Sequence, residues 1–124
     1  MTVTVLGDRQ TGKSEMLIAL AAWLIREGQR VLYVGHDMTT VTDKMRRLER
    51  NVYGDDAYTI HRAHGAEGVT HASGGQVIFA SERSGRGRGF NCDALILDEV
   101  DSYPHANPNV QFVYRAPLAE TSLI

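Results

Sequence analysis

Gly7-Asp8-Arg9-Gln10-Thr11-Gly12-Lys13-Ser14 is the stretch on which the reading of this chain turns. It satisfies the pattern G-x-x-x-x-G-K-S/T, a glycine loop that wraps phosphate. Its surroundings are of the right kind. Thr2 to Leu6 alternate β-branched and apolar residues, as a buried strand does. After Ser14, the run Met16 to Ile25 has the length and the alanine and leucine content of a helix. Strand, loop and helix thus follow in the order that phosphate binding requires.

Each residue type in the loop has a physical reason. Backbone N–H groups can close around a phosphate only where no side chain blocks the approach, hence Gly7 and Gly12. The start of the helix adds unpaired N–H donors and the positive end of its dipole. Lys13 is expected to set its ammonium against the β- and γ-phosphates, and the Ser14 hydroxyl to ligate Mg²⁺. The whole segment from Gly7 through Glu15 is expected to line the nucleotide.

A second feature lies far along the chain. Ala94-Leu95-Ile96-Leu97-Asp98-Glu99 is an apolar run that ends in two acids. A buried strand whose carboxyl end faces a nucleotide has this pattern. Asp98 is expected to hold Mg²⁺ and Glu99 to orient and deprotonate the attacking water. Either motif by itself is weak; together they point to ATP and Mg²⁺ as the bound species.

The rest of the composition sets bounds. The 124 residues suit one domain, and the 43 % hydrophobic and 23 % charged fractions are ordinary for a globular chain. A net charge of −2 gives no overall basic field for nucleic acid. Cys92 is the one cysteine, which excludes an internal disulfide and fits a reducing cytoplasm. No apolar run reaches membrane-spanning length, so no membrane partner is expected.

Between the two motifs the chain reads as alternating elements. The first helix is expected over 13–27, with Gly28 turning the chain out of it. Its apolar residues run round much of its circumference, so it should be covered on more than one side, with Trp23 expected in the core and a partner-facing position as the alternative. A strand follows at 31–35, then a helix over 40–51 capped by Thr39 or Thr40, with Val41, Met45, Leu48 and Val52 on one face. Lys44, Arg46, Arg47 and Arg50 form a basic cluster, either a solvated face or a contact for nucleic-acid phosphates. Residues 57–81 read as short strands, with Gly74-Gly75 turning a hairpin into a strand at 76–80. His61, His64 and His71 match no zinc spacing. Arg83-Ser84-Gly85-Arg86-Gly87-Arg88-Gly89 reads as a flexible loop, a grip on a nucleic-acid backbone, or a donor of an arginine to a neighbouring subunit. Asp101 to Asn109 is a loop, and one more strand is expected over 110–114.

With both motifs in view, the chain resembles the ATPase domain of the large terminase subunit of tailed bacteriophages. Arg9-Gln10-Thr11-Gly12-Lys13-Ser14 is similar to that family's R-x-x-G-K-S/T loop. Gly75 to Ser81 resembles its segment before the second acidic motif, and Arg88-Gly89-Phe90 through Asp98-Glu99 resembles its R-G-x and D-E stretch. The resemblance implies an ATP-driven DNA-translocating motor working in the host cytoplasm, with DNA and packaging-type proteins or further copies of itself as partners. It assigns phosphate contacts to Lys13 and Ser14, metal to Asp98, the catalytic base to Glu99, and stabilisation of transition-state charge to Arg9. Six residues precede Gly7, fewer than the adenine-recognising segment of the family occupies, so a minimal relative or an excised piece is expected.

The expected architecture is therefore a single α/β domain over 1–124 of the P-loop NTPase kind. Its sheet should be mainly parallel, flanked by helices and carrying a β-hairpin insertion, with the ligand at the carboxyl ends of the strands. The expected activity is Mg²⁺-dependent ATP hydrolysis. The alternatives are a nucleotide-binding adaptor with little turnover, and a nucleic-acid-binding protein that uses its arginines.

Overall fold

The computed structural model describes residues 2–4, 13–63 and 65–116. Gly7, Asp8, Arg9, Gln10, Thr11 and Gly12 lie outside the described residues, as do the Lys13 side chain and His64. The elements run β1 (Thr2–Thr4), α1 (Lys13–Arg26), β2 (Arg30–Gly35), α2 (Met38–Asn51), β3 (Tyr58–His61), β4 (Gly68–His71), β5 (Gln76–Ser81), a single 3-10 turn (Gly85–Gly87), β6 (Ala94–Asp98) and β7 (Phe112–Ala116).

The architecture is α/β, a mixed sheet flanked by helices. The seven strands lie in the order β1-β7-β6-β2-β5-β4-β3. The ladders β1–β7, β7–β6, β6–β2 and β2–β5 are parallel. The ladders β5–β4 and β4–β3 are antiparallel, so the expected hairpin extends one end of the sheet. Its turn at Gly74, with φ 96°, packs against the end of α1. The Ser73 hydroxyl donates to the Ile25 carbonyl at 2.6 Å. A Cβ on Gly75 would lie 1.9 Å from that same carbonyl oxygen, which is why glycine stands there.

The central strands are apolar on both faces because both faces are covered. Val31 and Tyr33 of β2, Val77 and Phe79 of β5, and Ala94 and Ile96 of β6 meet Leu17, Ile18, Ala21 and Ile25 of α1 and Val41, Met45 and Leu48 of α2. Leu32, Val34, Ile78, Ala80, Leu95 and Leu97 point the other way, against Cys92, Val100 and Tyr103. Both α-helices therefore lie on one face of the sheet. Among the described residues the second face is closed by loops and the 3-10 turn. The Asn107 amide makes this possible: its oxygen accepts from the Cys92 N–H at 2.9 Å and its nitrogen donates to the Cys92 carbonyl at 3.2 Å, so a side chain replaces a missing strand.

Three local expectations are corrected. Trp23 is 54 % exposed, and α1 is covered on one side only, since Met16 is exposed as well. The cap of α2 is Asp37, whose carboxylate accepts from the Thr40 N–H at 2.7 Å; Thr39 and Thr40 lie inside the helix. That N–H holds the Asp37 carboxyl below its usual range. The arginine-glycine segment is a docked turn and not a free loop. The Tyr103 hydroxyl accepts from the Gly87 N–H at 3.1 Å and donates to the Ser84 carbonyl. Arg86 turns inward onto the Phe79 carbonyl, with the Glu67 carboxylate 3.6 Å away.

The contact at Gly75 makes a stability prediction. Gly75→Ala should cost about 1–3 kcal/mol in urea unfolding, because backbone and not a flexible side chain stands in the way. Gly85→Ala meets nothing within 4 Å and should stay within about 0.5 kcal/mol of wild type. Equal stabilities for the two variants would refute the packing of the hairpin turn on α1.

Candidate functional site

The parallel ladders place the carboxyl ends of β1, β7, β6 and β2 along one edge of the sheet. β7 separates β1 from β6, so their ends stand two strand spacings apart, about 10 Å. Into this edge, from the helical face, come the first turn of α1 and one side of α2.

Asp98 is the last residue of β6 and is 3 % exposed. A carboxylate there is costly unless it is met by donors and cations. Tyr33 provides a donor: its hydroxyl gives a 2.6 Å hydrogen bond to Asp98 Oδ2. Burial first, and then the Asp98 charge, push the Tyr33 phenol well above its usual range, so it stays protonated and keeps donating. Tyr33 pairs in register with Ile96, two residues before Asp98 on the same face, and its length spans the offset.

Lys44 provides a cation. Its Nζ donates to Ser14 Oγ at 3.1 Å and stands 4.0 Å from Asp98 Oδ2. Ser14 opens α1 and Asp98 closes β6, 84 residues apart in sequence, yet one ammonium touches both. One turn further along α2, Arg47 pairs with Glu15 at 3.1 Å and with Asp43 at 3.0 Å. Residues 44 and 47 of α2 thus clamp the first turn of α1. This gathers two cations at a helix N-terminus, whose own dipole is positive there. The Glu15, Asp43 and Asp98 carboxylates lie against these two cations.

Glu99 follows Asp98 with φ 59°, the one positive value among the described non-glycine residues. The left-handed conformation costs roughly 1–3 kcal/mol for a residue of this kind and gathers at functional positions. The Glu99 N–H donates to the Ala116 carbonyl at 2.6 Å, which ties the strained residue to the end of β7.

The oxygens of Ser14 and Asp98 suit a hard cation such as Mg²⁺, which takes one or two protein oxygens and completes its shell from phosphates and water. Among the described residues no group of three or more His, Cys, Asp or Glu could hold a metal by itself. A thiol nucleophile has no place in this site: burial pushes the Cys92 thiol up to about 11, and Cys92 lies on the opposite face of the sheet.

Of the residues anticipated from sequence, Ser14 and Asp98 are brought together. Glu99 directly follows Asp98, and the Glu15 carboxylate is taken up by Arg47. Tyr33 and Lys44 were missed as site residues. Tyr33 carries a weak signal, since a phenol inside an aliphatic strand needs a polar partner. Lys44 carries a better one: three residues after Val41 and four before Leu48, it lies on the buried stripe of α2.

No helix among the described residues is long and apolar enough to cross a membrane. Comparison with protein-family models, with curated proteins and with solved structures gives no match.

Two predictions follow from the geometry around Asp98. In a Tyr33→Phe, Asp98→Asn double-mutant cycle the coupling should be about 1–3 kcal/mol, the range for a hydrogen bond to a buried charge; additive effects would deny that the bond matters. Glu99→Gly should leave stability unchanged or raise it by up to about 1 kcal/mol, since glycine adopts φ 59° freely. Destabilisation by more than about 1 kcal/mol would contradict the strain assigned to Glu99.

Proposed function

We propose that this chain binds ATP with Mg²⁺ and hydrolyses it to ADP and phosphate, as a P-loop ATPase of phage DNA handling akin to the terminase motor. One observation carries the proposal: Ser14, the last residue of the phosphate-loop motif, and Asp98, at the end of a buried strand, meet around a single ammonium at the carboxyl edge of the sheet. Sequence signals read separately, one for phosphate and one for metal, thereby fall within one site.

In this reading the amides of residues 7–15 and the Lys13 ammonium hold the β- and γ-phosphates, and Arg9 meets the charge that grows in the transition state. The Ser14 hydroxyl and the Asp98 carboxylate hold Mg²⁺, with Tyr33 fixing the orientation of the carboxylate. When bound, the metal offsets the negative charge of the phosphate oxygens. Glu99 orients a water and accepts its proton as the water oxygen bonds to the γ-phosphorus. The bond from that phosphorus to the bridging oxygen breaks, and ADP leaves with the oxygen.

DNA is the proposed partner through the resemblance, and the structure narrows which arginines could meet it. Arg47 and Arg86 are engaged within the chain, and Arg88 bonds to His105. Arg46, Arg50 and Arg83 are exposed and make no such side-chain pairing among the described residues. Arg83 is accordingly the residue of the 83–88 segment best placed to reach a neighbouring subunit. Arg115, near the carboxyl end of β7, stands 3.8 Å from Asp101.

Phosphate release under saturating Mg–ATP tests the activity. Lys13→Ala and Glu99→Gln should each lower the rate by roughly 10²–10⁴-fold. Equal rates in wild type and both variants would overturn the assignment.

A further inference from the structure

We infer that Lys44 is a resident cation that holds the metal position closed until nucleotide arrives. The inference rests on the reading of Ser14 and Asp98 as the metal's protein ligands. Lys44 Nζ lies 3.1 Å from one of those oxygens and 4.0 Å from the other, and its side chain is only 13 % exposed. An ammonium is a compact point charge on a flexible stem, so it can balance a carboxylate from a place that a divalent ion also fits.

Lys44 is one of two lysines in the chain, and its position is determined by packing. Val41, Met45 and Leu48 lock α2 onto the sheet, which directs residue 44 toward the start of α1. Arg47, one turn on, is spent on Glu15 and Asp43 and keeps α2 in that register. Like charges nearby raise the cost of a bare divalent ion. A metal entering alone must displace Lys44 at the positive end of α1. A metal entering with a triphosphate brings its own anions, which also offer the displaced ammonium a partner. Lys44 thus makes metal binding dependent on nucleotide, and beside the Tyr33 hydrogen bond it supplies a positive charge to Asp98 until the metal arrives. In this role it is a positioning residue, since it acts on the reaction through Ser14 and Asp98.

The test is Mn²⁺ binding to the full chain without nucleotide, followed by electron paramagnetic resonance. Lys44→Met should bind Mn²⁺ about tenfold or more tightly than wild type, and Lys44→Arg, which keeps the charge, should stay near wild type. In wild type, saturating Mn²⁺ should also raise the acetylation of Lys44 by acetic anhydride several-fold, as the released ammonium becomes accessible. That measurement decides the matter if Lys44→Met does not fold. Equal Mn²⁺ affinity in wild type and Lys44→Met, no binding to either, or unchanged acetylation of Lys44 at saturation would each overturn the inference. Titration of wild type with a fluorescent ATP analogue separates the two levels. Loss of nucleotide binding defeats the ATPase reading, whereas flat Mn²⁺ results beside intact nucleotide binding defeat the role of Lys44 alone.

Discussion

A carboxylate at the end of a buried apolar strand is the constraint that organises this protein. Asp98 cannot keep its charge at 3 % exposure without partners of the right sign and geometry. The Tyr33 phenol and the Lys44 ammonium meet it from two different elements, β2 and α2. Satisfying that one group therefore fixes the register of β2 against β6 and the placement of α2 over β2. Apolar packing supplies the bulk of the cohesion, but it tolerates small slips that a 2.6 Å hydrogen bond does not.

The same arrangement explains why both helices share a face. The functional edge needs the first turn of α1 and the side of α2 within reach of Asp98, and Asp98 looks toward the helical face together with Ile96 and Ala94. Among the described residues the other face is left to loops and the 3-10 turn, held by Tyr103, Gly87 and the Asn107 amide. Gly87 belongs to that economy of space: a Cβ there would lie 2.6 Å from Leu32 and 2.7 Å from Tyr103. What reads in sequence as a loose arginine-glycine loop is a lid fitted to the sheet.

Much of this was legible before any coordinates. The apolar runs of β2, β5 and β6 and the stripe of α2 fell within a residue or two of their observed limits, because hydrophobic periodicity is a local signal. The acidic strand end and the hairpin glycines were local signals too. What escaped depends on contacts between distant parts of the chain. Nothing in Phe112–Ala116 announces that it lies between β1 and β6. Trp23 looked like core because size and apolarity are properties of the residue, whereas its 54 % exposure follows from which side of α1 the sheet covers. Lys44 was grouped with Arg46, Arg47 and Arg50 by charge, although helical spacing sets it apart from Arg46 and Arg50.

The account stands on Ser14 and Asp98 belonging to one binding site. Amide chemical shifts of the labelled chain, followed during titration with a non-hydrolysable ATP analogue and Mg²⁺, test this most directly. The resonances of Ser14 and those of Asp98 and Glu99 should move together and give one common Kd. Shifts confined to one of the two segments, or absent from both, would contradict it.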